Sequence, residues 1–250
     1  MKSEVNNPFV EQEIKLTWAH KPTIPSVLSE TYSQCYEDAI IDGIIRSYCV
    51  ANNIPESSIP DLLTYLEIGA NHPIAGSSTY YLKKKYGVHG VLIEANPKLI
   101  PELIRVRPKD TVYNCAVVDD DRESVTFYVC PENEISSLDK AFVERWKGGT
   151  VGIEHEIKVM ATTANKLLAE FDTYNRLVFL SIDVEGYDMN ILRSIDFNSH
   201  RPFIVQLEPS DHYRPGTTRE MTHLMWAAGY DLVGMTDVNL IFRRGDALSY

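Results

Sequence analysis

Acidic residues stand where the apolar runs of this chain end. TYLEIGANHP carries Glu67 inside its run and Gly69 at the turn, and GVLIEANP ends at Glu94. LVFLSIDVEGYD ends at Asp183, followed by Glu185, and FIVQLEPSDH ends at Glu208, followed by His212. One such acid alone reads as a helix cap or an arginine partner. Four on one edge of one sheet describe a polar ligand site. Glu94 follows Gly69 by 25 residues (94 − 69), a spacing at which a carboxylate ending a second strand accepts two ribose hydroxyls. Gly69 lets the backbone approach a ligand closely. The turn does not spell G-x-G-x-x-G, since position 71 is Asn and the next glycine is Gly76. A nucleoside without phosphates therefore fits better than a dinucleotide, which disfavours a nicotinamide oxidoreductase.

Proton chemistry has three candidates, Asp183, Glu185 and His212. Their plainer roles are a strand-end cap, a helix N-terminal acid and a surface loop histidine. His72, beside Pro73, reads as a residue that shapes the first loop. Asp183, Glu208 and His212 offer two oxygens and one nitrogen to a divalent ion, but the spacing does not demand a metal and none is expected.

These residues need a scaffold of alternating strands and helices. Residues 33–50 carry Ile40, Ile41, Ile44, Ile45 and Tyr48 at helical spacing, with Ser33 placed as N-cap. Strands are expected over 63–68, 90–94, 112–118, 124–129, 177–182 and 203–207. Helices are expected over 78–86, 97–105, 161–171 and 219–228, with 189–193 inside another. The helix over 78–86 is expected to start at Ser77 or Ser78 and stop at Gly87, with Lys83, Lys84 and Lys85 solvated in its last turn. Residues 230–235 and 240–243 form a closing hairpin around 236–239. Apolar runs without period-two alternation, set between helices, define a mostly parallel sheet covered on both faces, which binds ligands at its carboxyl edge. Residues 136–156 show little period and read as a lid that selects substrate. Within and near it, Trp146, Tyr213 and Trp226 are candidate pocket aromatics, although core packing is the default for each. Arg145, Lys147, Arg201 and Arg214 read as solvated surface.

Composition bounds the partners. The chain has 250 residues, 44% hydrophobic and 24% charged, an ordinary globular balance. Its net charge of −11 repels phosphate backbones and excludes nucleic acid as the expected partner. No apolar run nears the roughly 18 residues that span a bilayer, and the N-terminus lacks a secretory apolar segment. Cys35, Cys49, Cys115 and Cys130 include no C-x-x-C pair, so reduced structural thiols in a cytoplasmic protein are expected. Residues 1–30 are polar, with Pro8, Pro22 and Pro25, and read as an N-terminal extension to a domain over 31–250.

Taken in order, ExGANHPxxGSxTY, GVxIEANP, NCAVxDD, ISSL, LSIDVEGYDMNIL and VQLE resemble the FkbM family of S-adenosylmethionine-dependent methyltransferases. The preceding YSQCYEDAIIDGI is similar to the leading helix of many members, and GYDLVG…NLIFRR fits the family's last hairpin. The resemblance covers residues 31–245. It implies a Rossmann-like α/β fold with seven strands, the last antiparallel. It also implies S-adenosyl-L-methionine as cofactor. By motif, Glu67, Gly69, Ala70 and Asn71 would line its methionine and ribose part. Glu94 would hold the ribose diol beside Ala95 and Asn96, and Cys115, Ala116 and Val117 would bracket the adenine. Ser33 and Gln34 would approach the methionine end, with Asp183, Val184 and Glu185 under the sulfonium methyl. The chain departs from the pattern at Glu67, where Asp is commoner, and at Cys35 and Tyr36, which replace a small or glycine-bearing pair.

Methyl transfer from a sulfonium is an in-line displacement, with the acceptor atom about 3–3.5 Å from the methyl. An alcohol acceptor, with a pKa near that of water (about 15.7), must lose its proton to a side chain or be acidified by a metal. The resemblance implies an O-methyltransferase acting on a small polar acceptor: a sugar, a glycan intermediate or a natural product. The alternative is a non-catalytic S-adenosylmethionine-binding or scaffold protein of the same fold. Homo-oligomerisation is left open.

Overall fold

The computed structural model describes residues 30–171 and 176–247; the expected extension lies outside them except for Glu30. In chain order the elements are α1 (Glu37–Ala51), α2 (Ile59–Leu62), β1 (Leu63–Ile68), α3 (Tyr80–Tyr86), β2 (Val91–Glu94) and α4 (Ile100–Val106). Next come β3 (Thr111–Asn114), β4 (Ala116–Val118), β5 (Ser124–Val129), α5 (Lys140–Arg145), β6 (His155–Thr163) and α6 (Ala164–Leu168). The chain continues through β7 (Leu177–Ile182), α7 (Asp188–Ser194), β8 (Ile204–Leu207), α8 (Thr217–Ala227), β9 (Tyr230–Met235) and β10 (Leu240–Arg244).

Seven strands form one sheet in the order β3-β2-β1-β7-β8-β10-β9. β10, last in sequence, runs antiparallel to both β8 and β9, and the other pairings are parallel. The chain winds outward from β1 through β3, then returns to β7 on the other side of β1. The switch point, where such sheets bind ligands, therefore lies between β1 and β7. Every residue of β1, β2, β7 and β8 is buried, as unbroken apolar runs require when helices cover both faces. Side-chain alternation splits β1 between two cores. Leu66 and Ile68 pack with Leu168 of α6, Ile191 of α7 and Met221 of α8. Leu63 and Tyr65 pack with Ile41 of α1, Leu82 of α3 and Leu103 of α4. Glu67 shares the second face, which carries its carboxylate toward α3.

Several expected elements differ. α1 starts at Glu37, because Ser33 bridges to Gly76 and its hydroxyl bonds the Asp38 carboxylate at 2.9 Å. Residues 112–118 split at Cys115: β3 ends the large sheet, and β4 joins β6 and β5 in a small one. Residues 161–163 extend β6, so α6 starts only at Ala164, with the Thr163 hydroxyl accepting from the Lys166 amide. Residues 136–156 are not a bare lid: Phe142 and Val143 of α5 are buried with Cys130 and Ile135 in a small core. Gly87 does end α3 in the left-handed region at φ 74°, but the helix begins at Tyr80, with the Ser77 hydroxyl accepting from its amide at 3.2 Å. Lys84 and Lys85 are exposed in the last turn, as expected, and pair with Glu30 and Asp42, while Lys83 is half-buried and pairs with Asp110.

The sequence held no sign of Arg107, which is fully buried beneath the first loop. It pairs with Asp110 at 2.6 Å and donates to the Pro73 carbonyl at 3.0 Å, the Tyr65 hydroxyl at 2.9 Å and the Thr79 hydroxyl at 2.8 Å. Thr79 in turn donates to Glu67 at 2.6 Å. Burial raises the Glu67 carboxyl, while Arg107 and the Thr79 and Ser77 hydroxyls pull it down. Removing one partner of such a network strands the other's charge, at a cost of about 3–5 kcal/mol. Arg107→Met is expected to lose that much stability in urea unfolding. The double variant Arg107→Met/Glu67→Gln should lose less than the two single changes together.

Candidate active site

The carboxyl ends of β1, β2, β7 and β8 open into a cavity of about 770 Å³. Its wall gathers Ser33, Gln34, Glu67, Gly69, Ala70, Asn71, Glu94, Ala95, Cys115, Ala116, Val117, Asp183, Glu185 and His212. Of the expected site residues, only Asn96 stays off that wall. It is buried behind Glu94, donating its amide to that carboxylate at 2.7 Å and its side chain to Asn133 at 3.3 Å.

Glycine is required at position 69. Gly69 sits at φ 87°, and a Cβ there would lie 1.7 Å from the Asp183 carbonyl oxygen. The Asp183 amide donates to the Ile68 carbonyl at 3.0 Å. The first turn and the end of β7 are therefore locked together across the switch point. The other carboxylate oxygen of Glu94 accepts from the Asn71 amide at 2.8 Å, which fixes the turn against β2. Burial raises the Glu94 carboxyl and the amides of Asn96 and Asn71 oppose that rise. Two oxygens held by two amides keep lone pairs for further donors. Glu67 lines the cavity, and its oxygens also accept from Ser77 and Thr79, which holds the loop that frames it. His72 shapes that loop, accepting the amides of Ile74 and Ala75 at its Nδ1, at 3.1 and 2.9 Å.

Beyond β7 the acids crowd together. Asp183, Glu185 and Glu208 each bring an oxygen within 4.8 Å of the others. Burial pushes the Asp183 carboxyl up to about 6, and its hydrogen bond to Glu208 opposes the rise. Burial and the neighbouring acids hold Glu185 and Glu208 well above the carboxylate range. Glu185 adopts a left-handed φ of 55°, a conformation costing about 1–3 kcal/mol in a residue with a Cβ. The Ser137 hydroxyl bonds its carbonyl at 2.6 Å, and the next residue, Gly186, is pressed against the Phe142 ring. Asp188 was missed from the sequence. It is buried, its Oδ1 accepts the Val184 amide at 3.2 Å, and it faces the same acids. Its place in GYD, at a helix start, gave it the look of an ordinary cap.

His212 lies at the rim, with its ring centroid 4.9 Å from Trp146 and 5.9 Å from Phe142. A smaller cleft of about 440 Å³ runs on from there, lined by Phe142, Arg145, Trp146, Gly148, His212 and Tyr213. Tyr213 is fixed by its hydroxyl bond to Asp139 at 3.0 Å. Trp226 is no pocket aromatic: it is 57% exposed and stacks on His223. Arg201 and Arg214 pair with Asp246 and Glu220 away from the cavity, and the side chain of Lys147 is outside the described residues. Asp237, Val238 and Asn239, from the β9–β10 turn, close the far wall. Sequence reading took them for a plain hairpin turn, because only the sheet order brings β10 beside β8.

A ribose-placed carboxylate, a glycine turn and an acid cluster at one switch point, on a sheet with an antiparallel last strand, define a Rossmann-like methyltransferase. The chain belongs to the methyltransferase FkbM domain family, whose model matches residues 67–232, about two thirds of the sequence. It is thus a methyltransferase, of a family that draws its methyl from an S-adenosylmethionine-type donor. No curated protein matches it in sequence. Among solved structures it is similar to a candidate RNA methyltransferase of Pyrococcus horikoshii, at 12% identity and a TM-score of 0.40, over 94% of this chain and 98% of that one. It is also similar to a precorrin-6y C5,15-methyltransferase of Geobacter metallireducens, at 10% identity and a TM-score of 0.40, over 88% and 91%. Neither likeness bears on the acceptor. The four cysteines are free, and no helix among the described residues is long and apolar enough to cross a membrane.

Proposed function

We propose that this methyltransferase O-methylates a neutral, hydroxyl-rich small molecule, a sugar or glycan intermediate, with S-adenosyl-L-methionine as donor. One observation carries the reading. The cavity wall holds Glu67, Glu94, Glu132, Glu134, Asp183, Glu185, Glu208 and Asp237, and among the described residues no lysine or arginine. Carboxylates accept hydrogen bonds from hydroxyls and repel phosphates and carboxylates. The Trp146 and His212 rings join the cavity to the aromatic cleft and offer flat faces to the C–H side of a sugar ring.

The residues fit the cofactor. Glu94 would take the ribose hydroxyls. Cys115, Ala116 and Val117 would give the adenine a small apolar wall, and Ser33, Gln34, Gly69, Ala70 and Asn71 would meet the amino-acid end. When bound, S-adenosyl-L-methionine supplies an electrophilic methyl on a sulfonium. The chain's own contribution is to hold the acceptor hydroxyl at Asp183 and Glu185 and to exclude water beneath Trp146. Asp183, Glu185 and His212 are the groups to which the hydroxyl's proton can leave.

Calorimetric titration with S-adenosylhomocysteine is expected to show one site per chain, and NAD none. Labelled methyl transfer should then reach neutral glycosides and not their phosphate esters. Preferred transfer to the phosphorylated members would overturn the sugar reading.

A further inference from the structure

We infer that Asp183, Glu185 and Glu208 form a divalent-cation site on the acceptor side of the cavity, taking a hard ion such as Mg²⁺, Mn²⁺ or Ca²⁺. Their ligand oxygens lie within 4.8 Å of one another. Metal–oxygen distances of about 2.1 Å for Mg²⁺ and 2.3–2.6 Å for Ca²⁺ place opposite ligands roughly 4.2–5.2 Å apart. The three carboxylates therefore already span one coordination shell. All donors are oxygen, which selects hard ions over zinc or copper.

A second, independent observation points to a missing cation. Gln206 is only 3% exposed, lines the same cavity, and its Oε1 has no partner. It stands on β8 two residues before Glu208, so both side chains leave one face of the strand. Its register partner is Ser181, two residues before Asp183. No donor reaches Oε2 of Glu208 either. Buried acceptors without donors are costly, and no lysine or arginine among the described residues lines this wall to meet them. An ion with its water shell meets both needs, since its bound waters donate to the acceptors its own charge does not reach. The set also differs from the sequence expectation. His212 is engaged with the aromatic rings, and Glu185, turned by its left-handed backbone, takes the third position.

Ion binding needs only the carboxylates. The ion's role, gripping the acceptor hydroxyl and lowering its pKa, rests on the O-methyltransfer reading. The test is Mn²⁺ titration of the full chain, followed by calorimetry and by the loss of the free-ion paramagnetic signal, with S-adenosylhomocysteine present and absent. One ion per chain is expected, with affinity falling at least about tenfold in Glu208→Gln and in Asp183→Asn. Both variants should still bind S-adenosylhomocysteine, and a melting point near that of the parent shows each is folded. Should Asp183→Asn not fold, Glu208→Gln carries the test. Absence of Mn²⁺ binding, or affinity unchanged in the folded variants, overturns the site. Failure to bind S-adenosylhomocysteine would instead strike the methyltransfer reading and leave the ion result standing.

Discussion

Asp183→Asn is expected to lower kcat by about two to four orders of magnitude, the range for losing a group that handles a proton in the transition state. The Asn side chain keeps the shape of Asp183 and loses its charge and its capacity to take a proton. The backbone is held independently, by the Asp183 amide on Ile68 and by the close approach of Gly69. The floor of the cavity should therefore keep its form. Affinity for S-adenosylhomocysteine is expected to stay within about threefold, since the carboxylate lies among those of Glu185 and Glu208. Single-turnover methyl transfer and calorimetry on the same sample separate the two quantities.

Glu94→Ala should do the reverse. Two hydrogen bonds from ribose hydroxyls to a buried carboxylate contribute about 1.5–3 kcal/mol each. Their loss corresponds to a hundredfold or greater rise in Kd, at about 1.4 kcal/mol per decade. The structure adds a second route to the same loss. Glu94 also receives the amides of Asn71 and Asn96, so its removal loosens the turn on which the cofactor would rest. Water entering the opened cavity can serve both amides, and the apolar cores do not include this side chain. The melting point should fall by a few degrees only, the shift about 1 kcal/mol produces in a domain of this size. At saturating donor, kcat should recover most of its parent value. Equal loss of cofactor affinity in the two variants would sink this division of roles between the ends of β2 and β7.

Much of the scaffold was legible because burial on both faces leaves a plain signature. The strands 63–68 and 177–182, buried throughout, end where apolar runs meet Gly69 and Asp183, and the structure gives the same limits. Glu94, Asp183 and Glu208 were legible for the same reason, as charges at the ends of buried apolar segments. The break at Cys115 was not. Val112–Val118 reads as one run, and its division between two sheets follows from β6, which lies more than thirty residues away. Arg107 was hidden because RPKD has the composition of a surface turn. Its burial comes from Glu67, Asp110 and Tyr65 converging from other elements. Glu185 was singled out as a charge beside a glycine, but nothing local announced the left-handed backbone that aims it.

A hydroxyl that has been methylated no longer donates. The cavity wall carries carboxylates at the ends of β1, β2, β7 and β8, with the unpartnered oxygens of Gln206 and Glu208 among them. The ether product of the proposed reaction would meet this wall with a methyl group in place of a proton, and the carboxylate that had accepted the hydroxyl's hydrogen bond would face carbon. Under the O-methylation proposed above, weak retention of product would follow from the acceptor side of the site.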